Sequence, residues 1–579
     1  MTRSIILTVV FSLTCLCVAI VVAQTPQAEP KAQPPAAKED AQRVIDEFDA
    51  LKQQYLSKYE PLYYRSEKAW WDANVTGADE AFERRTKAQN ELVELHADRA
   101  VFSRIRSLRE QADKLDPVRA RELDVMYRTF LPGQADPEVQ KKIVALETEV
   151  EKTFSTHRSL VGGKELSEND VRQILSESKD SKAAQKAWAG YMAVGTRIAP
   201  KLKELVRLRN EQARRLGFDN FYAMKLSLDE IGEKELVALF DELDQLTREP
   251  FARLKGDIDA ARATRFGIET SALRPWHFGD LFFQQAPETE GANLDEAYKE
   301  QDLLALTKTY YEGMGMGVDD ILDRSDLYEK PKKNPHAFAT DLNRAGDVRV
   351  LCNLKPNLYW MDTLIHELGH AVYDKYISPD VPFLLHTASH SITTEGYAMM
   401  MGAMVKNEEF LTKVAKLPPE EAARYVESAR RSLRAEKLIF SRWAQVMMRF
   451  ERAMYANPDQ DLAKLWWDLK KQYQLVPPPD DAALEGYAAK IHVATVPAYY
   501  HSYMMGDLFG CQVHHHIATR VLGMNDPLKT AFVGSREAGR FMIESIFRPG
   551  NTYSWNDLTR RITGEPLTAR YFARQYVGG

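Results

Sequence analysis

Residues 361–376 read MDTLIHELGHAVYDKY, and His366-Glu367-Leu368-Gly369-His370 within them sets two histidines four apart with a glutamate beside the first. On a helix, residues four apart lie one turn apart on the same face. Both imidazoles then reach one ion at the about 2.0–2.1 Å of a zinc–nitrogen bond. Glu367 faces the same open side, where a carboxylate can take a proton from water at the metal. Leu364, Ile365, Leu368, Ala371 and Val372 suit a buried helix, and Gly369 permits close packing. A catalytic zinc site also needs a third protein ligand and an open position. The next helix-like run, SITTEGYAMMMGAMV from Ser391, carries one acid, Glu395, in an apolar stretch. An unpaired buried carboxylate is costly, so ligation explains Glu395 better than packing does. His366, His370 and Glu395 are the expected ligands of one zinc ion per chain, with Glu367 as general base.

Other histidines compete for this chemistry. His386 and His390 are also four apart, but their segment, FLLHTASHS, reads as loop or strand. Packing or substrate contact fits them better than a second metal. His514, His515 and His516 are consecutive, so on a helix they fan out over different faces and cannot form one ligand set.

The elements that must position these residues are mostly helical. Apolar residues recur at spacings of three and four over 41–58, 80–115, 137–157 and 183–216. One alternating, β-branched segment, 347–354, reads as a strand just before the histidine pair. The expected fold is all-α with minor strand: one large helical domain over 41–579, in two halves around a cleft. Residues 1–23 read as a signal peptide, with Arg3, an apolar run over 5–22 and small residues at Val21-Val22-Ala23. An uncleaved membrane anchor is the alternative. Residues 24–40 are rich in Pro, Ala and Gln and are expected to be a disordered linker. The expected location is secreted or periplasmic, without stable membrane insertion after cleavage. The formal net charge is −6, with Lys and Arg scattered among Asp and Glu. No basic stripe exists to neutralise phosphates, which argues against nucleic-acid binding. Beyond the signal only Cys352 and Cys511 remain, so the fold does not rest on a framework of disulfides.

Several further stretches make the chain resemble the angiotensin-converting-enzyme family of zinc peptidyl-dipeptidases, in its bacterial type. They are Lys490-Ile491-His492, Val496-Pro497, Tyr500 and Tyr503, Gln512 and His514, then Ser535-Arg536-Glu537-Ala538-Gly539 and Ile562-Thr563-Gly564-Glu565-Pro566. The resemblance implies a gluzincin-type site with His366, His370 and Glu395 on zinc and Glu367 as base and later acid. It implies that His492 and Tyr503 stabilise the oxyanion, a role matched to charge that develops in the transition state. It places His336 and Ala339 where the substrate backbone pairs as an added strand. It assigns Gln284, Lys490 and Tyr500 to a clamp on the substrate's C-terminal carboxylate. Three positions depart from the family. Met399 stands where an aspartate supports a zinc histidine, with Asp362, one turn before His366, as the substitute. Ser502 replaces an arginine that holds an activating chloride, so chloride dependence is not carried over. Pro335 takes the place of the cysteine that would pair with Cys352.

The expected function is release of C-terminal dipeptides from oligopeptides. Two alternatives stand beside it: an endo-acting oligopeptidase of the thimet or oligopeptidase F kind, and an inactive exported zinc-binding protein.

Overall fold

The computed structural model describes residues 35–287, 293–481 and 484–577; the signal segment and most of the linker lie outside the described residues. Helix α1 (Pro35–Thr76) begins inside the stretch read as linker, so the linker's last residues are helical instead of disordered. Val44, Phe48, Leu51, Tyr55, Tyr59 and Leu62 line one buried face of α1.

The run 80–115 is not one helix. It divides into α2 (Asp79–His96) and α3 (Arg99–Arg109), because the Asp98 side chain accepts the amides of Ala100 and Val101 and starts a new helix. Next come α4 (Pro117–Phe130) and α5 (Pro137–Thr156), each capped by the aspartate before its proline. A hairpin missed in the sequence, β1 (Ser159–Val161) and β2 (Lys164–Leu166), turns at Gly162-Gly163, both at positive φ. Helices α6 (Glu168–Glu177), α7 (Ser181–Arg215), α8 (Phe221–Leu228) and α9 (Glu233–Phe266) complete this part. Trp188 on α7 is buried and donates its indole N–H to the Leu281 carbonyl at 3.0 Å.

After α10 (Leu303–Gly313) and α11 (Asp319–Arg324), strands β3 (Phe338–Asp341) and β4 (Val348–Leu351) pair antiparallel, Ala339 opposite Val350. Then come α12 (Leu358–Lys375), α13 (Ser391–Ala403), α14 (Glu408–Lys413), α15 (Pro419–Ala456), α16 (Leu462–Leu469), α17 (Ile491–Thr495) and α18 (Tyr500–His516). Helices α19 (Arg536–Phe541), α20 (Trp555–Thr563) and α21 (Arg570–Tyr576) close the chain. The chain is mostly helical, as its periodicity predicts. One large apolar cluster runs from Val139 to Tyr576, and a smaller one joins α1, α3 and α4 to Phe383 and Leu384.

Helix α13 packs between α12 and α18. Small residues allow this approach. A Cβ on Gly369 would stand 3.0 Å from the Ala398 Cα, and one on Gly396 would stand 2.5 Å from the Gly506 carbonyl oxygen. Gly396→Ala is therefore expected to push α13 off α18, costing about 1–3 kcal/mol. It should also displace Glu395 next to it; thermal melting together with zinc titration reads both effects.

Candidate metal and peptide-binding site

Helix α12 is capped by Asn357, whose side chain accepts the Trp360 amide at 2.9 Å. Leu364, Ile365, Leu368, Ala371 and Val372 are buried, as their pattern requires, and this fixes the opposite face of the helix. The Tyr311 hydroxyl donates to the Ile365 carbonyl at 2.7 Å, next to His366. On α13, the His390 ring accepts the Ile392 amide at 3.0 Å and so caps the helix that carries Glu395. His386 lies in the preceding loop, at the end of a single 3-10 turn. These two histidines thus serve the local backbone.

Among the described residues, one group of three or more metal-type donors converges: His366, His370 and Glu395, with ligand atoms within 4.8 Å of one another. The two Nε2 atoms are 3.2 Å apart, and a Glu395 carboxylate oxygen is 3.7 Å from each. Burial pulls the His366 ring below its ordinary range, and burial together with His366 pulls His370 down to about 3. Both rings are thereby held neutral, the form that binds a metal. Glu395, with its side chain 47% exposed, is the open edge of the set. Its carboxyl is nevertheless shifted upwards by desolvation. Glu367 is buried, and burial with the Glu395 charge pushes it up to about 8, while the Ala339 amide on β3 pulls it back. Two neutral nitrogens, one carboxylate and a second carboxylate lacking a cation fit a tetrahedral zinc ion with one open position.

The support behind the ligands differs from what the sequence suggested. His370 Nδ1 bonds the Thr394 hydroxyl at 2.6 Å. A threonine carries no sequence signal as such a partner, yet its hydroxyl, one residue before Glu395, orients the ring. Asp362 pairs with Lys406 at 2.7 Å and acts on His366 through its charge. Thr394→Val is expected to weaken zinc binding by about 10–100-fold, read by competition with a chromophoric chelator.

The three residues proposed to clamp a carboxylate do come together. Gln284 Oε1 accepts from the Lys490 ammonium at 2.9 Å and from the Tyr500 hydroxyl at 3.2 Å. Gln284 is held by Asp280, whose carboxylate accepts the Phe282 and Gln284 amides. Lys490 is buried, with its ammonium 5.4–5.7 Å from the ring centroids of Phe282, Tyr500 and Trp443. Burial pushes its pKa down to about 8, against the Asp280 charge. The Tyr500 and Tyr503 rings are 5.4 Å apart, and Tyr503 is 41% exposed and feels the Glu395 charge. The His492 ring stands 5.5 Å from Tyr500; burial and Lys490 push it down to about 4, so it is neutral. Its Nδ1 is buried without a hydrogen-bond partner. Tyr499, which the sequence did not single out, also feels the Glu395 charge and bonds Ser391.

Ala339 lies on β3 against α12. His336 is exposed two residues before the strand, its amide bonded to the Asn334 side chain at 2.9 Å. Cys352 and Cys511 are both buried and free. The consecutive histidines do fan out: His514 bonds the Thr530 carbonyl at 3.2 Å, while His515 and His516 pack on Tyr571 and Phe541.

Two family models match different parts of this chain. Angiotensin-converting enzyme matches residues 42–254, and peptidase family M3 matches residues 323–578, which include all three metal donors. The mouse angiotensin-converting enzyme-like protein Ace3 is 22% identical over 69% of this chain and 57% of its own length. Pig angiotensin-converting enzyme is 19% identical over 88% of the chain and 41% of its own length. Carboxypeptidase 1 of Bacillus subtilis is 24% identical over 48% and 56%. The chain thus spans about half the length of these curated relatives. One family model matches the N-terminal helices and the other the helices that carry the metal-type donors, so the chain is similar to angiotensin-converting enzyme in one part and to peptidase family M3 in the other, at low identity to its relatives.

Proposed function

We propose that the protein is a zinc-dependent peptidase that removes dipeptides from the C-terminus of oligopeptides. The observation that carries this reading is the junction of two sites. Tyr500 of the Gln284–Lys490–Tyr500 cluster stands 5.4 Å, ring to ring, from Tyr503, which in turn feels the charge of the Glu395 donor. A carboxylate held at the first site sets the register of the peptide over the second.

Zinc held by the three donors supplies Lewis acidity, lowering the pKa of water and polarising a carbonyl. Glu367 takes the proton from the attacking water on its carboxylate and hands it to the leaving amine. His492 and Tyr503 donate to the oxygen on which negative charge develops. Lys490, Tyr500 and Gln284 bind the terminal carboxylate. Ala339 and the stretch from His336 offer backbone groups for an added strand, which holds a peptide without reading its side chains. The apolar segment over 5–22 supports an exported location, and among the described residues no helix is long and apolar enough to cross a membrane.

The M3 match over the metal-donor helices favours a second reading, an endo-acting oligopeptidase. Matched peptides with free and amidated C-termini separate the two. The clamp predicts a kcat/KM at least about tenfold lower for the amide, the effect of losing a charge-assisted hydrogen bond. Equal rates on both would favour endo cleavage.

The clamp also predicts a pH dependence. The Lys490 ammonium attracts a carboxylate only while protonated, and its pKa is depressed to about 8. Binding is thus present below that pH and lost as pH rises through it. The KM for free-carboxylate peptides should rise above about pH 8, the amide's KM should not, and Lys490→Met should remove the difference between them.

A further inference from the structure

The segment 490–503 carries Lys490, His492, Tyr500 and Tyr503, yet only short α17 and the start of α18 give it regular structure. Two buried polar side chains, Arg209 and Glu451, hold the turn between them. From α7, Arg209 donates to the Ala494 carbonyl at 2.6 Å and is itself bonded to Glu147 and Tyr455. From α15, Glu451 accepts the Ala498 amide at 2.8 Å. Glu451 is 1% exposed and Ala498 fully buried. Ala498 has φ +55, a left-handed conformation that an L-alanine rarely adopts. A residue keeps such a conformation only where its surroundings impose it, and here the bond to Glu451 holds the turn at Ala498 between His492 and Tyr500.

We propose that Glu451 is a positioning residue for the substrate-facing group His492, Tyr500 and Tyr503, acting through the Ala498 amide; the proposal rests on the peptidase reading above. Glu451 stands well away in sequence from every residue assigned to metal or substrate. Burial pushes its carboxyl up to about 8, against the Ala498 amide and the Arg209 charge. At neutral pH the carbonyl oxygen of the neutral acid accepts the bond, so glutamine is its working isostere.

The test compares Glu451→Gln, Glu451→Ala and Glu451→Ala/Ala498→Gly as full-length, zinc-loaded proteins. Glu451→Gln is expected to keep kcat within about threefold. Glu451→Ala should lose at least about tenfold in kcat with unchanged zinc content, because the oxyanion donors are misplaced. Glycine adopts φ +55 without strain, so Ala498→Gly should restore at least a fivefold part of that loss, which a mere packing defect would not allow. Should Glu451→Ala not fold, Glu451→Met removes the acceptor while filling the space.

Hydrogen exchange gives a readout independent of turnover. Exchange across 490–503 should rise in Glu451→Ala and stay at wild-type level in Glu451→Gln. Folded Glu451→Ala with kcat within threefold, or a loss that Ala498→Gly does not restore, overturns the proposal. Wild-type protein that cleaves no peptide defeats the peptidase reading instead. In that case unchanged exchange in Glu451→Ala still overturns the positioning claim.

Discussion

Glu367→Gln is expected to bind zinc as wild type does and to lose peptide turnover by about 10²–10⁴-fold, the usual contribution of a general acid–base group. The side chain keeps its size and its Ala339 contact, but it can no longer take a proton. Zinc content by elemental analysis and initial rates on one peptide measure both halves of this expectation, and retained turnover would sink the mechanism. The same variant has a second signature. In the metal-free chain Glu367 is pushed up to about 8 by burial and by Glu395. A carboxyl whose folded pKa lies above its unfolded value destabilises the fold progressively as pH rises between the two. Metal-free Glu367→Gln should therefore melt higher than metal-free wild type at pH 7, and the gap should close towards pH 4. A gain in stability from removing a reactive group is the expected mark of a functional site.

Glu395→Ala is expected to lose zinc outright. Removal of a ligand costs more than the about 10–100-fold that follows loss of an orienting partner. The variant should still fold. Glu395 is the half-exposed donor, and the packing of α13 rests on Gly396, Tyr397, Ala398 and Met401, which are buried. Added zinc should raise the melting temperature of wild type by binding only the folded state and leave that of Glu395→Ala unchanged. Wild-type turnover should vanish on chelation and return with zinc. A Glu395→Ala protein that keeps zinc and activity would show that the third ligand lies elsewhere.

The candidate metal donors were legible because their geometry is local. His366 and His370 share a helix, and the 3.6-residue period alone puts both rings on one face. Glu395 was legible as the one acid in an apolar helix. Lys490, Tyr500 and His492 lie within one short stretch and follow from its resemblance to a known family. The same resemblance names Gln284, and the fold brings it there from some two hundred residues upstream, on a turn built on Asp280. Thr394, Tyr499 and Glu451 were not legible, because a threonine or glutamate within a helix and a tyrosine just before one carry no spacing signal. Their roles depend on which neighbour the packed helices bring within about 3 Å.

What the sequence by itself determined is the helical class, the donor pair on α12 and the donor on α13, since periodicity and burial act along the chain. What only the tertiary structure decided is the meeting of parts. Glycine contacts at Gly369 and Gly396 bring α13 between α12 and α18, so Glu395 reaches the two histidines. Burial of Lys490 among aromatic rings, against Gln284, gives a depressed pKa to a charge that could have been solvated. Both effects arise from desolvation and close packing between distant segments, which no local pattern records.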